Sequence, residues 1–240
     1  IDLIGAKITS DNPIVVNCGS ASGSFGTDPG NGEGGQDYGF DQIVGADKIG
    51  TEYILVRGEG IDPIENVLVI ANSNNTDISV NGNYLSTINA GEYFVVEGDQ
   101  FTVNNNMYIE TSEDTFVYQG IGGTTSPANS GLFFVPPLSC ENKGDVNEIA
   151  LIDKIGNGDF NAGVTIVTNT GANIKINGND VTSAPSTVEG NPNYVTYKIS
   201  GLSGNITVES DQELYCAYFN FNCAATTGAF YSGVPNIPII

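Results

Sequence analysis

Carboxylates are the most abundant chemically active groups in this chain, and one stretch gathers them in a form that a hard cation could use. Asp28, Asn31, Glu33 and Asp37 lie between Gly19 and Gly39 among many glycines, with Asp41 just beyond. Glycine lets a backbone fold tightly enough for carbonyl and carboxylate oxygens to converge on calcium. The spacing is not that of an EF-hand loop, and a plain surface loop is the competing reading. Asn157, Asp159 and Asn161 repeat the theme at alternate positions, where an Asx-turn cluster capping a hairpin is the simpler explanation.

Other chemistry is sparse. Histidine is absent, so a serine nucleophile has no imidazole base and the usual zinc sites have no nitrogen ligand. Acid pairs for glycoside hydrolysis are available by count, but there is no Trp to stack on a sugar and no acid pair recurs in a pocket-like context. The residue types therefore argue against an enzyme. Lys48 and Lys154 sit in two copies of Asp-Lys-Ile-Gly, where ordinary ion pairing explains them better than an isopeptide crosslink. Tyr215, Tyr218, Phe219 and Phe221 offer an aromatic platform, although strand alternation turns half of them inward. Cys18, Cys140, Cys216 and Cys223 have no metal-ligand spacing. An even number of cysteines in an Asn- and Gly-rich, Lys-poor chain suits an oxidising, extracellular setting, with three pairings open.

The elements that must position these groups repeat along the chain. Asp47-Lys48-Ile49-Gly50 returns as Asp153-Lys154-Ile155-Gly156, and Ile78-Ser79-Val80-Asn81-Gly82-Asn83 returns as Ile174-Lys175-Ile176-Asn177-Gly178-Asn179. A third block starts at Ile8, Ile109 and Val208. Helix signals are nearly missing. Short β-branched and aromatic runs bounded by Gly, Asn, Asp or Pro are strand signatures, and Asn-Gly after an alternating strand marks a hairpin. The first full copy offers candidates at 53–56, 67–70, 78–80, 93–96, 101–103, 107–109, 116–118 and 133–135. The second offers 164–167, 174–176, 194–197, 206–208, 214–216 and 230–231. The pattern predicts an all-β protein of tandem antiparallel β-sandwich units, jelly-roll-like, with N-terminal strands from a partial third unit. The units run over 46–138 and 139–240, divided near Pro136-Pro137. Residues 1–45 form a tail, with strands at 14–16 and 42–44, that must pack on a neighbouring unit to cover its edges.

The formal net charge of −21 repels phosphate backbones and anionic lipid, so nucleic acid is not an expected partner. No run approaches the roughly 20 apolar residues of a membrane span, and Ile1 opens directly in a strand-like pattern without a basic leader. A mature or excised chain without direct membrane insertion is the expectation.

Several segments resemble the IgGFc-binding-protein N-terminal domain family: Gly39-Phe40-Asp41-Gln42-Ile43-Val44, Ile49-Gly50-Thr51-Glu52-Tyr53-Ile54, Val117-Tyr118-Gln119-Gly120, Gly131-Leu132-Phe133-Phe134-Val135-Pro136-Pro137 and Phe230-Tyr231-Ser232-Gly233. The resemblance covers nearly the whole chain and carries no catalytic residue. It implies a non-catalytic extracellular adhesion module of a large bacterial (Bacteroidota-type) surface protein, binding a glycan or a protein. A structural stalk, in contact with neighbouring repeats of the same protein, is the alternative. Cys140 and Cys216 lie in motifs associated with the family, which implies a Cys140–Cys216 disulfide closing a loop of about 75 residues.

Overall fold

The computed structural model describes residues 3–23, 37–123, 131–139, 144–223 and 225–230. Strands β1 (Val16–Gly23) and β2 (Asp37–Ile43) form an N-terminal hairpin. A seven-stranded antiparallel sheet follows, of β3 (Gly50–Val56), β4 (Val67–Ala71), β5 (Thr76–Val80), β6 (Asn83–Ile88), β7 (Tyr93–Val96), β8 (Asn106–Ile121) and β9 (Gly131–Phe134). Then come β10 (Asp145–Ile149), β11 (Lys154–Ile155), β12 (Gly158–Asp159), β13 (Asn161–Asn169), β14 (Ile174–Ile176), β15 (Asn179–Asp180) and β16 (Ser186–Thr187). The last four are β17 (Tyr194–Leu202), β18 (Ile206–Ser210), β19 (Leu214–Asn222) and β20 (Ala225–Phe230). Among the described residues, helix is confined to single 3-10 turns at Ala46–Lys48 and Gly98–Gln100.

The pairing pattern recurs in the second half of the chain, which adds β11, β12 and β16. β4 lies between β7 and β8, as β13 lies between β17 and β19. β5 lies between β6 and β8, as β14 lies between β15 and β18. β3 and β9 flank the two halves of β8, as β10 flanks β18 and β20 flanks β19. The 16-residue β8 thus occupies the places of both β18 and β19. Its pairing with β3 slips between Glu110 and Thr115, an irregularity in the ladder. In the later copy Asp211 breaks the strand instead, accepting N–H bonds from the Asn173 backbone and side chain at 2.8 and 2.7 Å. The two candidate strands at 107–109 and 116–118 are therefore one.

The Asn-Gly hairpins form as their composition predicts. Asn81 and Gly82 have φ of 51° and 80°, and Asn177 and Gly178 have 49° and 75°. Both central residues of a type I′ turn need positive φ, which Asn and Gly tolerate. The candidate strand at 101–103 does not form. Phe101 is buried at the end of a 3-10 turn and Val103 is 99% exposed. Residues 8–11, the first member of the third block, also lie outside any strand. In the tail, β1 and β2 pair with each other, with Cys18 opposite Asp41, while the apolar Ile14 and Val15 stay exposed outside the ladder.

Two cores follow from the alternation. One gathers Tyr53, Leu55, Val69, Ile78, Ile109 and Val117 inside the seven-stranded sheet. The other lies between β10–β18–β14 and β17–β13–β19, with Val164, Ile166, Ile206, Val208, Leu214 and Cys216. A third cluster joins the two halves of the chain: Ile54, Val56 and Tyr108 pack against Val167, Val188 and Tyr215. Burying each such side chain contributes about 1.5–3 kcal/mol, so this seam holds the halves together. Polar bonds reinforce it. Asn106 Nδ2 donates to Thr196 Oγ1 (2.9 Å) and Thr187 O (3.0 Å), and Lys198 Nζ donates to the carbonyls of Arg57 and Gly58 (2.9 and 2.8 Å).

Candidate functional site

The structure scatters most residues that the sequence singles out. Asp28, Asn31 and Glu33 lie outside the described residues, and Asp37 opens β2. Asp41 turns its carboxylate to the protein: Oδ2 accepts the Phe134 N–H (3.3 Å) and Oδ1 accepts the Gln42 N–H (2.8 Å). Burial raises its carboxyl above the usual range against the pull of those two N–H groups. The Tyr118 hydroxyl is buried with no hydrogen-bond partner among the described residues, and burial, with the charges of Asp41 and Cys18, raises its pKa. Among the described residues no cluster of three His, Cys, Asp or Glu is arranged to hold a metal. Lys48 pairs with Asp47 and Lys154 with Asp159, as ions. Cys140 lies outside the described residues. Cys216 is fully buried, and that burial pushes its thiol up to about 12. Of the aromatic run, Tyr215 and Phe219 are buried, and Tyr218 and Phe221 pack against the cores.

A buried carboxylate and two partly exposed ion pairs shape the loop after β3. Glu65 is completely buried, and its carboxylate accepts N–H bonds from Gly58 (2.7 Å), Gly60 (2.8 Å) and Gly122 (2.8 Å). Arg57 pairs with Asp62 at 2.6 Å and Lys198 with Glu59 at 2.8 Å. Each of these charges has a partner, which is the arrangement of a structural lock.

An open concavity lies elsewhere, at the Asn81-Gly82 hairpin. A groove of about 500 Å³ runs between the start of β6 and the 99–103 loop, with Glu189 from the other side of the seam on its rim. Tyr84, 65% exposed, and Val103 give it apolar surface. Leu85 is the extra residue of a bulge in the β5–β6 ladder, since Ile78 faces Ser86 and Ser79 faces Tyr84. That insertion brings Tyr84 and Thr87 to one face of the strand. There the Tyr84 hydroxyl bonds Thr87 Oγ1 at 2.8 Å, and Thr87 in turn donates to Asp77. The ring is thus exposed yet held.

The far wall is equally fixed. Asn81 Nδ2 donates to Gln100 O (2.8 Å) while its Oδ1 accepts the Tyr108 N–H (3.0 Å), so one side chain ties the hairpin to the loop and to β8. Gln100 Nε2 donates to Asp99 Oδ1 at 3.1 Å. Asn104 Nδ2 reaches Thr187 O at 3.0 Å, anchoring the loop across the seam. The sequence signal for this site is slight: an aromatic residue just after Asn-Gly-Asn, and an apolar Val103 stranded before three asparagines.

A rigid all-β scaffold that holds an exposed aromatic ring and several polar groups around a surface groove is the construction of a binding module. The profile of the IgGFc binding protein family matches residues 1–219, and the chain belongs to that family. No curated protein matches it in sequence. Among solved structures it is similar to a Streptomyces avermitilis α-L-rhamnosidase complexed with L-rhamnose, at 10% identity and a TM-score of 0.26. That match covers 75% of this chain and only 25% of the rhamnosidase. It is also similar to the apo form of a Pleurotus ostreatus lectin, at 10% identity and a TM-score of 0.24, covering 89% of this chain and 84% of the lectin. The lectin from Pleurotus ostreatus in complex with GalNAc also has 10% identity and a TM-score of 0.24, with 79% and 82% covered. Similarity at this level defines neither a shared fold nor a shared ligand.

Proposed function

We propose that this chain is a non-catalytic extracellular adhesion module of a larger bacterial surface protein, and that it recognises a glycan or protein ligand at the Tyr84 groove. We take 46–138 and 139–240 as its two β-sandwich domains, with 1–45 as a tail packed on them. The observation that carries this reading is the exposed Tyr84 ring held by Thr87 beside a groove whose walls are already hydrogen-bonded. A preorganised site loses little entropy on binding, which is how a shallow groove gains affinity. The strong negative charge, which disfavours nucleic acid and anionic lipid, suits a protein that meets its partners outside the cell.

A stalk segment is the second reading. The tail weighs against it, because it folds back on its own chain: Gly5 lies so close to Gly91 that a Cβ there would stand 1.9 Å from the Gly91 carbonyl oxygen, and Asp41 binds β9. A glycan array and a mucin pull-down, each run with the parent chain and Tyr84→Ala, test the proposal. Binding that Tyr84→Ala loses, with the melting temperature unchanged, is the expected result. Binding unaffected by Tyr84→Ala would place the ligand elsewhere, and no binding to any surface glycan or protein would favour the stalk.

A further inference from the structure

The groove's charge narrows its ligand. We infer that it takes a neutral saccharide and discriminates against sialylated or sulfated glycans, an inference that rests on reading the groove as the binding site. Its ionisable rim groups, Asp99 and Glu189, are both carboxylates and both exposed, and among the described residues no Lys or Arg lines it. Carboxylates accept hydrogen bonds and donate none, so they suit sugar hydroxyls and repel an acidic substituent. The Tyr84 ring supplies the flat apolar face on which the C–H side of a pyranose can stack. The amides nearest to it, on Asn81, Asn83 and Gln100, already spend N–H donors on Gln100 O, Asn81 O and Asp99 Oδ1. Each amide keeps a second N–H, but a neutral donor does not offset the repulsion of two rim carboxylates.

Position strengthens the argument. Glu189 stands on the rim beside Gly190, which at φ +89° lies against the Asn81-Gly82 turn. The acceptor pair is thus assembled across the seam, one carboxylate from each half of the chain. Two like charges within a Debye length of a ligand anion weaken binding by roughly five- to tenfold at physiological salt, and by more at low salt.

The experiment titrates the full chain with a galactose-terminated N-acetyllactosamine glycan and its sialylated counterpart, at 20 and 150 mM sodium chloride. The neutral glycan should bind and the sialylated one should be about five- to tenfold weaker, with a wider gap at 20 mM. The Asp99→Asn/Glu189→Gln variant should close the gap, read as the ratio of the two affinities, whatever it does to the neutral affinity itself. Equal or tighter binding of the sialylated glycan, or a gap that the double variant leaves intact, overturns the charge argument while leaving the groove reading in place. Neutral-glycan binding indifferent to Tyr84→Ala, or none on an array of neutral glycans, overturns the groove's assignment to a saccharide.

Discussion

Gly190 meets Gly82 across the seam so closely that a Cβ on Gly190 would stand 3.0 Å from the Gly82 amide nitrogen and 2.8 Å from Tyr108 Cδ1. Gly190 also has φ +89°, a conformation that side chains with a Cβ avoid. This contact joins the hairpin of one half to the Glu189 rim of the other, so packing and the proposed site depend on the same glycine.

Gly190→Ala should therefore destabilise the chain by about 1–3 kcal/mol, from backbone strain and from displacement of a backbone neighbour that has little room to move. Urea unfolding checks the loss. Ligand binding at the Tyr84 groove should weaken in the same variant, whereas Gly171→Ala, with no atom near the added Cβ, should leave binding unchanged.

A pH dependence follows from Asp41. Its folded carboxyl titrates above the ordinary value of 3.8 because burial disfavours the charged form. The folded state thus holds this proton more tightly than the unfolded chain. The resulting stability is fully present below 3.8 and is lost as pH rises through the folded pKa. The parent chain should gain melting temperature relative to Asp41→Asn, by about 1–2 °C, as pH falls from 7 to 4, the size being limited by solvent screening at this half-buried position. Parallel melting curves for the two proteins would remove Asp41 as the cause.

Calcium at Asp28, Asn31, Glu33, Asp37 and Asp41 remains a proposal, and melting curves with matched ionic strength test it. Millimolar calcium should raise the melting temperature beyond the sodium chloride control, by an amount that grows with the logarithm of calcium concentration. The Asp37→Asn/Asp41→Asn variant should lose the effect. An equal rise in sodium chloride would mean that screening of a highly acidic surface is sufficient.

For the cysteines we propose a Cys140–Cys216 bridge. Non-reducing peptide mapping of secreted protein should recover the linked pair. Reduction should then cost roughly 3–5 kcal/mol for a loop of that length. A linked Cys216–Cys223 peptide would replace this pairing.

The sequence by itself determined the local architecture, because hairpin chemistry is written in neighbouring residues. Asn-Gly supplies positive φ wherever it stands, and an alternating run such as Thr76-Asp77-Ile78-Ser79-Val80 already separates a buried face from an exposed one. Tertiary structure decided what those elements become. Met107–Ile109 and Phe116–Tyr118 merge into one strand because β3, β5, β4 and β9 pair along both its edges, and nothing between 110 and 115 announces it. The prominent aromatic run at 215–221 is used in packing, while the candidate site falls to Tyr84, Asp99 and Glu189. These residues are far apart in sequence and meet through a bulge, a 3-10 turn and a glycine contact across the seam. Short-range patterns encode backbone conformation; which surfaces are covered and which stay open depends on contacts between distant segments that no local pattern contains.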